Sequence, residues 1–475
     1  MSSEIKKLGS DTLVYGMGTI VPRMINFLLV PIQTRAFPKE DYAAISELYG
    51  YAAFLNIIFL FGMETAFFRF SNKEGLDSSK VFRVSQTVVI LISGLFTLAF
   101  LLNLNSLSSN LKIENASIII WLALTLLVDA IVAVPFARLR LQKKARQFST
   151  YKIINVALLI GLNLYFLYLT PSPTIDVVFM ANFLANAVFL IFFFNDLISW
   201  RPTFDKNLTP EILQYSYPLV ITGIAGMTNE MFSRIAIDNW LPENFYSNQT
   251  PKQAQGVFSA CYKFSAFMSI AVQAFRFAAE PFFFAKAFDK NSPALFAKVN
   301  HYFILFASVI MVAICLNLDW LKYFVDAGSW SGLTIVPFLL LGYLFFGIYT
   351  NISIWFKLTD KTYYGTVITI VGAVLTIAFN YWLIPVYGII GSSIATLLVY
   401  FSMVVICYWL GQKFYPIPYS MGKDLLILFG ACLIAFLNYN IVIPNLWVSI
   451  AVRGLFSTRI AFAVYNYLKK QFEKF

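Results

Sequence analysis

Apolar runs of roughly 20 residues recur about fourteen times along this chain, separated by short polar gaps. Within the runs, polar and apolar positions do not alternate with the two-residue period of a barrel strand. Backbone N–H and C=O groups in hydrocarbon must be paired inside their own segment, so such runs form helices. The pattern predicts transmembrane helices over 11–35, 41–67, 81–103, 116–137, 151–170, 175–199, 210–240, 254–284, 299–318, 331–356, 362–384, 388–410, 425–440 and 446–467. The expected fold class is an all-α polytopic membrane protein with about fourteen transmembrane helices.

Composition supports this: 59% of residues are hydrophobic, 18% aromatic and 12% charged, with mean hydropathy +0.71. A soluble domain carries about twice that charge. Threading the chain through the spans assigns 25 of the 35 Lys and Arg to gaps and adjoining span ends on the side of Met1 and five to those on the other side. The remaining five, Arg23, Arg234, Lys263, Arg276 and Arg453, are assigned to span interiors. This asymmetry assigns the Met1 side, and both termini, to the cytoplasm. It also accounts for the net charge of +11 without nucleic acid as a partner; membrane lipids are the expected contact of the basic gaps.

Cys261, Cys315, Cys407 and Cys432 are widely spaced in apolar runs and read as small buried hydrophobes. With one histidine and no HExxH, no metal or other cofactor is expected. No Walker A sequence appears, which argues against direct ATP drive. Met1 to Ser10 are polar and precede a full-length apolar run, so no cleavable signal peptide is expected.

An internal repeat organises the spans. A shift of 217 residues places Arg140, Leu141 and Lys144 on Lys357, Leu358 and Lys361, and Asn163 on Asn380. A shift of 216 places Glu64 and Phe67 on Glu280 and Phe283. Six helices are thus duplicated in one orientation, and the interface between such repeats is where transporters place a cavity. The expected organisation is an N-lobe over 1–200, a C-lobe over 201–411 and a C-terminal helix pair over 412–475.

Charges inside the spans are the candidate chemistry, because each is costly in hydrocarbon unless it meets water or a partner. Glu230, Arg234 and Asp238 recur at i, i+4 on one helical stripe, as lining of a watery cavity or as a self-neutralising structural triad. Arg23 sits beside Pro22 with Gly16 and Gly18 one to two turns before it, a hinge-like setting that ordinary close packing also explains. Arg276 and Glu280 repeat the i, i+4 spacing, with Lys263 several turns away on a similar face. Glu64 and Arg69 end the second span as an interfacial anchor pair, with a place at a cavity mouth or gate as the alternative. Asp129 is a lone membrane carboxylate, able to carry a proton or bind Na⁺, or simply a hydrogen-bonded structural group. His301 reads as an interface residue.

Several stretches resemble a known family. Gly9-Ser10-Asp11-Thr12-Leu13, Gly16-Met17-Gly18, Pro31-Ile32-Gln33-Thr34-Arg35 and Gly62-Met63-Glu64-Thr65-Ala66-Phe67-Phe68-Arg69-Phe70 are similar to the start of Wzx-type polysaccharide (O-antigen) flippases. Asn380, Tyr387-Gly388-Ile389-Ile390-Gly391 and Ala395-Thr396 resemble a later signature of the same family, part of the multidrug/oligosaccharidyl-lipid/polysaccharide exporter superfamily with MurJ and MATE transporters as relatives. The resemblance implies translocation of a polyprenyl-pyrophosphate-linked oligosaccharide across the bacterial inner membrane by alternating access, not an enzymatic reaction. It further implies a cationic cavity, for which Arg23, Arg234, Arg276 and Lys263 are the candidates, since guanidinium suits pyrophosphate. Coupling to Na⁺ or H⁺ is implied too, with Glu230, Asp238 and Asp129 as the acids placed by position and charge. Other polysaccharide-assembly membrane proteins are implied as partners. The C-terminal pair resembles one that helps form a lipid groove in the peptidoglycan flippase, although Asn438 to Pro444 and Arg453 depart from that pattern. A MATE-like antiporter of small organic cations is the alternative; it would prefer net acidic lining, whereas Arg23, Arg234, Lys263 and Arg276 outnumber Glu230, Asp238 and Glu280 by one. A membrane glycosyltransferase or ligase is the third reading, and the nearly charge-free outer loops weigh against it.

Overall fold

The computed structural model describes residues 21, 22, 24, 27–111, 113, 115–171, 173–286, 291–439, 441 and 443–472, which form helices joined by short loops. The principal helices are α1 (Leu29–Ala36), α2 (Lys39–Leu60), α3 (Met63–Ser71), α4 (Ser78–Leu102), α5 (Ser117–Leu141), α6 (Ala145–Leu169), α7 (Asp176–Phe192) and α8 (Leu208–Trp240). They continue as α9 (Pro251–Tyr262), α10 (Ala266–Ala285), α11 (Ser292–Leu316), α12 (Val336–Ile352), α13 (Tyr363–Phe414), α14 (Met421–Tyr439) and α15 (Leu446–Phe472). Among the described residues, ten helical stretches are long and apolar enough to cross a membrane. The 17-residue α7 is shorter, and the 33-residue α8 carries Glu211, Glu230, Arg234 and Asp238.

Two compact units divide the chain: Met1–Phe37 with Glu47–Met227, and Pro38–Ser46 with Thr228–Phe475. The boundaries fall just before α2, inside α2 and inside α8. In the first unit α5 packs against α4 and α7, and α6 against α7. Phe136 meets Phe148, Phe189 and Phe193 edge-on at 5.5, 4.9 and 4.8 Å, contacts that each add about 0.5–1.5 kcal/mol beyond burial. In the second unit α12 runs along α13, while α11 holds α12, α14 and α15. Polar clamps fix α14 and α15 onto α11: His301 Nδ1 lies 2.5 Å from Asp424 Oδ1, and Arg453 pairs with Asp319 just past the end of α11. Arg453 also donates from Nη2 to the Ile441 carbonyl at 2.6 Å.

Breaks in the helices have local causes. Between α2 and α3 the chain turns through Phe61 (φ 47°) and Gly62 (φ 67°), both left-handed. The 52 residues of α13 would extend roughly 78 Å as a straight helix against an apolar core of about 30 Å. Gly388 breaks it with φ 60° and ψ −138°, a conformation that suits glycine, and Pro385 removes one ladder N–H. The Ile389 N–H at the break donates to the Tyr246 hydroxyl at 3.2 Å. Two spans, 362–384 and 388–410, are expected here, and the break lies between them.

Each unit contains the same local constructions, related by the shifts read in the sequence. Glu64 pairs with Arg140 in the first unit, and Glu280 pairs with Lys357 at 2.5 Å in the second. The turn after α5 places Lys143 at φ 56° with Lys144 N donating to Leu139 O at 2.9 Å; the turn before α13 places Asp360 at φ 55° with Lys361 N donating to Phe356 O at 2.8 Å. Asn163 accepts from Gln33 at 3.3 Å and donates to the carbonyl four residues back, Leu159, at 2.8 Å. Asn380 accepts from Ser233 at 3.3 Å and donates to Thr376 O at 2.8 Å.

Candidate functional site

The first unit buries a polar centre between α5, α6 and α7. Asn155 Nδ2 donates to Asn186 Oδ1 at 2.8 Å, and Asn186 Nδ2 donates to Asp129 Oδ1 at 2.9 Å. Asn155 accordingly fixes the Asn186 amide with its donor towards the carboxylate. Lys152 on α6 is within electrostatic reach of Asp129, and its ammonium lies 4.3 and 5.0 Å from the Phe136 and Phe189 ring centroids. The spans place Lys152 at a membrane edge; α6 begins at Ala145, so the residue lies about two turns inside the helix. A carboxylate with one amide donor and a nearby ammonium is a group whose charge state is tied to its neighbours.

The second unit buries a cationic and aromatic centre. The Arg234 guanidinium stacks 4.1 Å from the Tyr262 ring centroid, and its Nε has no hydrogen-bond partner among the described residues. Arg234 is only 8% exposed, yet it forms no ion pair with Glu230 or Asp238, its i±4 neighbours, among the described residues. Asp238 pairs instead with Lys252 at 3.5 Å. The expected alternative of a self-neutralising triad along α8 is therefore not what forms. The Tyr262 and Tyr343 hydroxyls are hydrogen-bonded, Tyr343 lies 5.7 Å from Tyr400, and Tyr42 is buried nearby. Lys263, within electrostatic reach of Arg234, opens a 3₁₀ turn (Lys263–Ser265) that interrupts the helical run from α9 into α10. A 3₁₀ segment inside a long helix commonly marks a hinge.

The other candidates are distributed as follows. Glu280 is engaged by Lys357 rather than by Arg276, which lies half-buried 6.0 Å from the Phe277 ring centroid. Glu64 is held by Arg140, whereas Arg69 lies over the Tyr215 ring at 4.3 Å and lines a separate small cavity. Pro22 is helical and buried; Arg23, Gly16 and Gly18 lie outside the described residues.

Residues 8–285 match the family described as polysaccharide biosynthesis protein, more than half of the chain. The chain belongs to that family. No curated protein matches this family member by sequence. Its fold is similar to that of a lipid II flippase MurJ in an inward closed conformation, with TM-score 0.73 and 16% identity over 96% of this chain and 99% of that one. A multidrug resistance MATE transporter of the MOP superfamily in an inward-facing conformation is similar at TM-score 0.65 and 13% identity, over 88% and 99% of the two chains. The MATE multidrug transporter DinF-BH follows at TM-score 0.62 and 15% identity, over 86% and 95%. At these identities the likeness shows the fold alone, an all-helical arrangement shared with those proteins.

Sequence reasoning missed the uncharged half of the family member's polar centres. Asn155, Asn186, Tyr262, Tyr343 and Tyr400 carry no charge and do not stand out from their apolar runs. Asn380, matched to Asn163 by the repeat, was the available signal. In the structure it anchors a network in which Ser392 donates to its Oδ1 at 2.7 Å and Thr376 donates to Asn229 Oδ1 at 3.0 Å.

Proposed function

We propose that this polysaccharide biosynthesis protein moves a polyprenyl-pyrophosphate-linked oligosaccharide between membrane leaflets by alternating access, driven by a Na⁺ or H⁺ gradient. The observation that carries the reading is the Arg234 centre. A guanidinium buried at membrane depth without a carboxylate partner favours an anionic ligand, because an unpaired buried charge is strongly destabilising. Lys263 adds a second nitrogen donor within reach of Arg234, and the Tyr262, Tyr343 and Tyr400 rings offer aromatic faces with hydroxyl groups for a polar cargo. Arg276 and Arg23 are further candidate cargo contacts. Asp129 is the first candidate for coupling, ahead of Glu230 and Asp238, since its carboxylate is already held by a two-amide relay. In this reading the basic-rich ends face the bacterial cytoplasm, the lobes lie over 1–200 and 201–411, and the helix pair over 412–475 is an accessory.

The test is transport of a fluorescent polyprenyl-pyrophosphate-linked oligosaccharide in proteoliposomes, with Arg234→Ala and Arg234→Lys. Translocation should fall at least about tenfold in Arg234→Ala, the scale of one lost charge-assisted hydrogen bond, while the protein elutes as a folded monodisperse species. Unchanged rates in both variants refute an anionic cargo at this centre. A MATE-like antiporter of organic cations is the second reading, favoured by the tyrosine cluster beside Glu230. It predicts that an organic dye cation, not the lipid-linked sugar, is moved. A glycosyltransferase or ligase would leave a covalently altered sugar product, which mass spectrometry of the recovered lipid detects.

A further inference from the structure

At its basic-rich end, the first unit holds a cavity of about 290 Å³ lined by Arg69, Phe70 and Lys73 from the end of α3 and by Glu211, Gln214 and Tyr215 from the start of α8. The break at Phe61 and Gly62 creates it by re-aiming α3 as a separate segment. Phe61 is a bulky residue in the left-handed region, which costs of the order of 1–3 kcal/mol and is typically kept at ligand clamps and switches. Gly62 lets the turn approach α8 closely: a Cβ there would lie 3.3 Å from Leu219 Cβ.

Arg69 is the distinctive member. The 216-residue shift that pairs Glu64 with Glu280 places Arg69 on Ala285, so no arginine is needed at this position for the duplicated fold to form. Glu64, one turn earlier, is occupied by Arg140, and Arg69 has no carboxylate partner among the described residues. Tyr215 covers one face of the guanidinium at 4.3 Å, is itself fixed edge-on by Phe70 at 6.0 Å, and leaves the in-plane N–H donors available. Lys73 is only loosely committed: its 3.0 Å pair with Glu211 has side chains 54% and 50% exposed, a class of ion pair worth about 0–1 kcal/mol. A dianion could draw the ammonium from Glu211 at little cost, with Gln214 as a further amide donor.

We infer that this cavity binds the pyrophosphate of a membrane-anchored lipid, with Arg69 as the bidentate contact and Lys73 as the second cation. Its volume, at the low end for small-molecule pockets, is of the scale of a headgroup. The cavity is on this proposal a loading site that engages the headgroup of the lipid carrier. The choice of pyrophosphate among phosphate-bearing headgroups rests on the flippase reading; the affinity for a phosphate headgroup does not.

The test measures radiolabelled farnesyl pyrophosphate binding to the full chain in nanodiscs of zwitterionic lipid. Arg69→Ala should bind about 10- to 100-fold more weakly, the range for a lost hydrogen bond to a charged group, and Arg69→Lys should recover part of the loss. Arg146→Ala, an exposed basic residue outside the cavity, should bind like the wild type. Inorganic pyrophosphate should compete and farnesol should not. Competition by phosphatidylglycerol equal to that of farnesyl pyrophosphate overturns the assignment in favour of an ordinary bilayer headgroup. Equal affinity in Arg69→Ala and wild type, or no binding by wild type, overturns the site altogether. If wild-type proteoliposomes still translocate lipid-linked sugar in that case, the flippase reading stands and only the loading site falls.

Discussion

Replacing Gly388 with alanine tests the break in α13 from two directions. The native φ of 60° with ψ of −138° is a region that only glycine occupies readily, so the backbone term alone costs about 1–3 kcal/mol. The added Cβ would lie 2.7 Å from Phe245 Cε1 and 2.9 Å from Tyr246 Cζ, so the Tyr246 ring must move. That movement removes the acceptor of the Ile389 N–H, a further loss of about 1–3 kcal/mol. The sum, about 2–6 kcal/mol, is a large part of a typical total stability of about 5–15 kcal/mol. The assay is reversible unfolding in mixed micelles by SDS titration, followed by tryptophan fluorescence. In a Tyr246→Ala background the Tyr246 collision and the hydrogen bond are already gone, so Gly388→Ala should add only the backbone part and the Phe245 contact. A cost below about 0.5 kcal/mol in both backgrounds refutes the conclusion that this conformation requires glycine.

Arg453→Met keeps the aliphatic stem but leaves Asp319 with Ser449 as its donor and removes the guanidinium donor to the Ile441 carbonyl, and should lower stability by about 1–3 kcal/mol in the same titration, with Asp319→Asn losing less. Asp205, in the loop before α8, accepts from Lys80, Leu208 N and Asn207 N, the Lys80 bond being the main reason its carboxyl is held down at about 2. A depressed folded-state pKa adds stability that is complete above the ordinary value near 3.8 and disappears as pH falls towards about 2. Asp205→Asn should therefore be less stable than wild type at pH ~5, and the gap should close on acidification to pH ~2; a constant gap across that window counts against the assignment.

Helix-forming stretches were legible because hydrocarbon permits few structures and the apolar runs are long. Their ends were less so. Lys152, Lys298 and His301 sit at the edges of the expected spans, yet α6 and α11 begin earlier, at Ala145 and Ser292, and carry these residues inward. Polar residues in the first turns of a membrane helix lower local hydropathy without ending the helix. The duplication was legible as residue matches, and Glu64–Arg140 and Glu280–Lys357 give those matches a common contact. Partner choice within the spans was not legible. The i, i+4 spacing of Glu230, Arg234 and Asp238 permits an intrahelical triad, but such pairs add only about 0.2–0.5 kcal/mol, and a stacked tyrosine from another helix outweighs them. For the same reason Glu280 meets Lys357 across helices rather than Arg276 along its own.

The two clamps on α11 bear on how the chain is made. His301 and Asp319 are 18 positions apart, roughly 27 Å at the helical rise, so α14 and α15, both made after α11, each meet one attachment point, towards opposite ends of α11. Sliding either segment by one turn, about 5.4 Å, would leave a carboxylate or a guanidinium stranded in lipid. Greasy surfaces alone would tolerate many seatings of a late-arriving hairpin; two electrostatic pins leave it one. Truncation before Leu446 would consequently leave Asp319 without its guanidinium.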